Sequence, residues 1–150
     1  MDRLFLDANV LFTAAHNGAG KSAYLFDTLH FARWQLISSD YAIEEARRNL
    51  AAKFSERVAI LDALIKKLGV IRQPGRGEIG IRLPDKDQPI FLAALAGRAT
   101  HLLTGDLQHF KQHMNRPELS NGIVIQTVAD YLLATCIATS PNRSILPPRA

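Results

Sequence analysis

Five short apolar runs recur along the chain: RLFLD, QLISS, VIRQ, HLLTGD and GIVIQT. They are brief and nearly continuous in apolar residues rather than alternating. That is the pattern of strands buried on both faces. The segments between them carry helical spacing instead. SAYLFDTLHFARW places Tyr24, Leu25, Leu29 and Ala32 at such intervals, and YAIEEARRNLAAKF, RVAILDALIKKLG, QPIFLAALAGRA and VADYLLATCIA read the same way. NVLFTAA and LQHFKQHM suit shorter helical turns. Strands that alternate with helices imply an α/β fold with a mainly parallel central sheet.

Punctuation supports this division. Asn17–Gly20 is a breaker cluster. Ser39 or Asp40 can cap the helix that follows QLISS, and Gly69 closes RVAILDALIKKLG. Pro89 is tolerated in the first turn of its helix. PGRGEIGIRLPDKD, with three glycines and two prolines, is expected to be a loop. SPNRSILPPRA has no periodicity. The expectation is one domain over residues 1–138 and a flexible tail over 139–150.

The chain has 150 residues, 47% of them hydrophobic, enough for one core. A single cysteine, Cys136, excludes an internal disulfide framework and fits a reducing compartment. Asp2 and Asp7 interrupt the N-terminal apolar run, which is unlike a signal peptide. No run reaches the roughly 18 apolar residues of a membrane span. A cytoplasmic location without a membrane partner is expected. The net charge of +4 is compatible with a polyanionic partner.

The acids carry more information. In open parallel sheets, ligands bind beyond the carboxyl ends of the strands. Asp7 follows Leu4-Phe5-Leu6, and Asp106 follows Leu102-Leu103-Thr104-Gly105. Asp85 and Asp87 lead into the helix before the Asp106 strand, and Glu44 and Glu45 lie early in the helix after the second strand. Four acidic positions distant in sequence can thus meet at one edge. Converging carboxylates repel one another unless a cation neutralises them, and hard oxygen ligands select Mg²⁺ or Mn²⁺. Such a site suits a phosphodiester substrate. Each acid also has a plainer reading: Asp87 and Asp106 as helix caps, the glutamates as a solvated face. Asp7, directly after a buried strand, is the hardest to assign that way.

Other signals are weaker. His109 and His113 stand four apart, but no further soft ligand accompanies them, and they read as surface histidines. Cys136, among Leu132, Leu133 and Ile137, reads as core. No Gly-x-Ser-x-Gly elbow is present, and Asp7-Ala8-Asn9 departs from the Asp-x-Asp of aspartyl-phosphate enzymes. NGAGKS resembles the end of a phosphate-binding loop. The glycine such a loop needs is replaced by Ala15, and a helical turn separates it from the preceding strand. A turn plus a cap for a helix near Ser22 is the simpler account.

Together, LFLDANVLF, SSDYAIEEARRNL and LPDKDQPIFLAALAGRATHLLTGD, in that order, resemble the PIN domain, the family of VapC-type ribonuclease toxins and related nucleases. The resemblance runs from about Leu4 to Asp106. It implies a three-layer α/β/α sandwich around a mainly parallel sheet. It also implies an endoribonuclease that uses Mg²⁺ or Mn²⁺ held by acids. Carried over, these are Asp7, Glu45, Asp87 and Asp106, with Asn9 and Thr104 orienting the carboxylates. The family pattern favours Glu45 over Glu44, although a helical wheel does not choose between them. Spacing favours Asp87 over Asp85, and Asp85 is assigned to water or a second metal.

The implied reaction is hydrolysis of an RNA phosphodiester, with Asp7 or Asp106 orienting the attacking water. Arg47, Arg48 and Lys86 are candidate contacts to the RNA backbone, and Lys21 at the rim another. Implied partners are RNA, a cognate antitoxin of a type II toxin–antitoxin pair, and a second copy of the chain in a homodimer. The chain departs from the shortest toxins by the longer loop QPGRGEIGIRLPD and by extra helical residues before Asp87. That bears on the toxin role more than on the nuclease role. The alternative is a non-catalytic PIN-fold module that binds RNA or protein.

Overall fold

The computed structural model describes residues 1–75, 77 and 80–139, with backbone alone at 136–139. The five apolar runs form five strands: β1 (Asp2–Leu6), β2 (Trp34–Ser39), β3 (Gly69–Ile71), β4 (His101–Leu103) and β5 (Val124–Gln126). Every pairing among them is parallel, in the order β3-β2-β1-β4-β5. Successive strand residues point to opposite faces, yet Leu4, Phe5 and Leu6 are all fully buried. Helices must therefore cover both faces, which gives the three-layer α/β/α sandwich.

The helices are α1 (Ala8–His16), α2 (Lys21–Asp27), α3 (Asp40–Lys53), α4 (Val58–Ile65), α5 (Gln88–Ala96), α6 (Leu107–Phe110) and α7 (Val128–Thr139). Ser39 is the cap of α3, its hydroxyl accepting the N–H of Ala42 at 3.1 Å. Pro89 sits in the first turn of α5. Arg3 secures the other end of α5, donating through Nε and Nη2 to the carbonyl of Gly97 at 3.0 and 2.9 Å. A cation there complements the helix dipole. None of the helices is long and apolar enough to cross a membrane, among the described residues.

Several boundaries differ from the sequence expectation. The helix expected through Trp34 ends at Asp27, where the Thr28 hydroxyl donates to the carbonyl of Tyr24 at 2.8 Å. Such back-bonding competes with helix continuation. Trp34 instead opens β2, opposite Asp2, with its indole N–H on the Leu25 carbonyl at 3.3 Å. The next helix stops at Ile65, and tight bonds from Lys67 to Leu64 and from Leu68 to Ile65 turn the chain. Gly69 belongs to β3, paired with Ile37, rather than closing that helix. LQHFKQHM is one helical turn followed by a 3₁₀ turn over Lys111–His113. In NGAGKS the helix begins at Lys21, one residue before the expected start near Ser22, and Gly20 stands at its cap position without a side-chain bond. Helix α7 continues through Thr139, and the rest of the expected tail lies outside the described residues.

Candidate functional site

The strand order reverses beside β1. The chain first builds β2 and β3 on one side, then β4 and β5 on the other. In such sheets a crevice opens at the carboxyl ends of the two strands flanking the reversal. Here these strands are β1 and β4, with Leu6 in register with Leu103. The next residue of each strand end carries the site. Asp7 donates its N–H to the Leu103 carbonyl at 3.0 Å, and Thr104, Gly105 and Asp106 follow Leu103.

Asp7 is almost wholly buried. One carboxylate oxygen accepts the Ala8 N–H at 2.7 Å, and the other accepts the Thr104 hydroxyl at 2.8 Å. Asn9 reaches the same oxygen and the Thr104 hydroxyl, both at 3.4 Å. Thr104 Oγ1 also accepts the Asp106 N–H at 3.0 Å, so one hydroxyl ties the two strand ends together. Asn9 Oδ1 accepts the Gly105 N–H at 2.7 Å. A side chain at Gly105 would crowd that amide, at 3.3 Å from Cβ to Oδ1. Burial pushes the Asp7 carboxyl up to about 6, against the two hydrogen bonds, and the charges of Asp87 and Glu45 push the same way.

Asp87 approaches from the start of α5. It occupies the cap position but makes no capping bond, so its buried carboxylate is free of that duty. Burial raises its pKa, and the Asp106 charge raises it further. Asp106 does act as a cap, one oxygen accepting the His109 N–H at 3.1 Å. Its other oxygen lies 2.8 Å from His109 Nδ1, and that nitrogen lies 2.7 Å from Asp87 Oδ2. Neither His109 Nδ1 nor Asp87 Oδ2 has an aligned hydrogen-bond partner, although both are buried. One donor atom from each of Asp87, Asp106 and His109 fits within 4.8 Å of the others.

The remaining candidates separate cleanly. Glu45 is half-buried on α3 and close enough to Asp7 to act on its charge. Glu44 is exposed and faces Arg47 at 3.7 Å. Asp85 is exposed and takes a hydrogen bond from Gln88 at 3.3 Å. It stands apart from the Asp87–Asp106–His109 group. Arg47 is engaged by Asp62 at 2.7 Å. Arg48 and Lys86 are exposed, and Lys86 is near enough to Asp87 to favour its charged form. Lys21 is exposed, and its neighbour Ser22 shares a shallow hollow with Asn9, Thr104 and Gly105.

The histidines depart from the surface reading. His113 is buried, and His109 stands within the acidic crevice. The soft partners sought for them were the wrong ones, since His109 meets carboxylates. A signal was present: His109 lies three residues after Asp106, on the same face of the helix that Asp106 opens.

The donors suit a small divalent cation. Among the described residues, Asp87, Asp106 and His109 bring donor atoms together, while Asp7 and Glu45 stand outside that group. Asp7 is near enough to feel the charges of Asp87 and Glu45, and burial disfavours the Asp7 charge. Hard oxygen donors of this kind match Mg²⁺ or Mn²⁺.

Comparison with known proteins agrees with this fold. Among curated proteins, none matches the chain significantly. Among solved structures, VapBC2 from Rickettsia felis, bound to a DNA fragment from its promoter, includes a chain of the same fold. It superposes with a TM-score of 0.62 at 16% identity, over 83% of this chain and 98% of that one. VapBC-1 from nontypeable Haemophilus influenzae gives 0.55 at 15% identity, over 85% and 98%. VapC20 of Mycobacterium tuberculosis, a toxin that cleaves the sarcin–ricin loop, gives 0.50 at 13%, over 70% and 91%. At such identities these likenesses establish the fold. A family model described as the PIN domain matches residues 3–108, from β1 into α6. The chain therefore belongs to the PIN-domain family, a family of nucleases.

Proposed function

We propose that the protein is a metal-dependent endoribonuclease that hydrolyses RNA phosphodiester bonds. The observation that carries this reading is the convergence of Asp87 and Asp106 with His109 beside the buried Asp7, which feels the charges of Asp87 and Glu45. Asp7, Glu45, Asp87 and Asp106 would hold Mg²⁺ or Mn²⁺. When bound, such an ion offsets phosphate charge and acidifies a water.

The chain's own residues prepare that chemistry. Thr104 holds Asp7 in one orientation and, through the Asp106 N–H, sets the spacing of the two strand ends. Asn9 braces the turn at Gly105. Burial of Asp7 and Asp87 strengthens their hold on a cation, since water competes poorly for buried groups. Asp7 or Asp106 would orient the attacking water; Lys86, near Asp87, and the exposed Lys21 and Arg48 are the cations proposed to meet the phosphate backbone. Arg47 is already paired and is the weakest of these.

The shared fold of the VapBC proteins favours a further assignment: the toxin of a type II pair, with a small antitoxin encoded by the neighbouring gene. The decisive experiment is cleavage of single-stranded RNA with Mn²⁺ by wild type and by Asp7→Asn. Wild type should cut, and chelation or the substitution should abolish cutting. Equal residual cleavage in both proteins would end the nuclease assignment.

A further inference from the structure

Resting on the reading of the crevice as a divalent-cation site, we infer that His109 is itself a ligand of that cation through Nδ1. The site is thereby tuned towards first-row transition ions such as Mn²⁺ and Co²⁺ over Mg²⁺.

The argument starts from how His109 is held. Asp106 Oδ1 accepts the His109 N–H at 3.1 Å, which fixes the imidazole's backbone to the acid it must accompany. The ring nitrogen then lies 2.8 Å from the other oxygen of Asp106 and 2.7 Å from Asp87 Oδ2. These are ion-pair distances to two carboxylates at once, and the Nδ1 and Asp87 Oδ2 atoms, both buried, meet without a well-aligned hydrogen bond. A single imidazole nitrogen can align a proton with at most one of the two carboxylates, so the three atoms are incompletely satisfied by one another. Donor atoms that converge on a common point, rather than on one another, are the arrangement a shared cation relieves. The separations are also close to the roughly 3 Å between adjacent donors of an octahedral ion with bonds of about 2.1 Å.

Ligand identity sets the preference. Sites built of carboxylates and water suit Mg²⁺ and Mn²⁺ alike, whereas an imidazole nitrogen adds affinity for transition ions and little for Mg²⁺. A histidine in this crevice thus separates two ions that the acids alone do not. The contrary account makes His109 a protonated counter-ion that neutralises Asp87 and Asp106 when no metal is bound. It predicts no metal–nitrogen bond.

Pulsed electron paramagnetic resonance on the full chain loaded with Mn²⁺ distinguishes the two. Wild type should show the nitrogen coupling of a directly bound imidazole, and its pattern should change when histidine is supplied as ¹⁵N. His109→Gln should remove the coupling. By calorimetry this variant should bind Mn²⁺ and Co²⁺ roughly ten-fold more weakly, with Mg²⁺ affinity within about two-fold of wild type. Bound Mn²⁺ without imidazole coupling overturns the inference and leaves the metal-site reading intact. So does an equal loss of Mg²⁺ and Mn²⁺ affinity. Failure of wild type to bind Mn²⁺ at all overturns both. The labelled wild-type spectrum decides the matter even if His109→Gln does not fold.

Discussion

Thr104 donates its hydroxyl to Asp7 at 2.8 Å across the junction of β1 and β4, and the same oxygen accepts the Asp106 N–H at 3.0 Å. One fully buried side chain therefore holds the Asp7 carboxylate and the backbone of Asp106 at the two strand ends. Thr104→Val keeps the shape and removes the hydroxyl. Asp7 loses its strongest side-chain bond, and the Asp106 N–H loses its acceptor. The variant should lose about 1–3 kcal/mol of stability. Affinity for Mn²⁺ should fall roughly 10–100-fold. Thr104→Ser should restore most of both. Thermal melts and calorimetry check the pair of effects, and unchanged metal affinity in Thr104→Val would remove Thr104 from its orienting role.

The burial of Asp7 has a consequence for stability against pH. Its pKa is about 6 in the folded chain against 3.8 for an ordinary Asp. The folded state thus binds a proton more tightly than the unfolded one. Stability from this group is present below the ordinary value and declines as pH rises through about 6. At neutral pH the charged, metal-free carboxylate is a burden of up to about 3 kcal/mol. Asp7→Asn should therefore raise the melting temperature in chelator at pH 7.5, although it abolishes activity. The gain should vanish near pH 4. Adding Mn²⁺ should stabilise wild type and leave the variant unmoved. A variant less stable than wild type at both pH values would contradict this account of Asp7.

Adjacent acids should separate sharply in metal binding. Asp87 is buried in the crevice while Asp85 is exposed on Gln88. Glu45 acts on Asp7 while Glu44 faces Arg47. Asp87→Asn and Glu45→Gln should weaken Mn²⁺ binding at least ten-fold, and Asp85→Asn and Glu44→Gln by less than about two-fold. Comparable losses within either pair would show that the cation sits elsewhere along the edge.

These pairs also mark where sequence reading runs out. The strands were legible because each is short, continuous and apolar, and Leu4-Phe5-Leu6 buries residues on both faces. Asp7 was legible because an acid directly after such a run has no surface explanation. The choice between Glu44 and Glu45 was not, since both sit near the apolar stripe of α3. What separates them is Asp7, contributed by a different strand. Helix lengths erred where local bonds intervened, as with the Thr28 hydroxyl on Tyr24. His109 reads as a surface residue in the sequence because its neighbours in the chain include no soft ligand. Its partners are Asp106, one turn away, and Asp87, brought in by α5. Sequence spacing finds the first and has no means of finding the second.

The last prediction concerns Lys21, the basic residue of the loop that resembles a phosphate-binding segment. It begins α2 without a side-chain cap, is exposed, and neighbours Ser22, which shares a hollow with Asn9, Thr104 and Gly105. Lys21 is outside the ligand group, and its proposed place is the rim of the crevice. A rim cation contributes to polyanion binding through released counter-ions, in proportion to the phosphates it neutralises. Lys21→Ala should weaken binding of single-stranded RNA several-fold at low salt and reduce the slope of log affinity against log salt by about one contact. Mn²⁺ affinity should not change, because no ligand is lost. Fluorescence anisotropy with a labelled oligonucleotide across a salt series, in the inactive Asp7→Asn background, reads both quantities without cleavage. Unaltered affinity and slope would leave Lys21 as a solvated helix start.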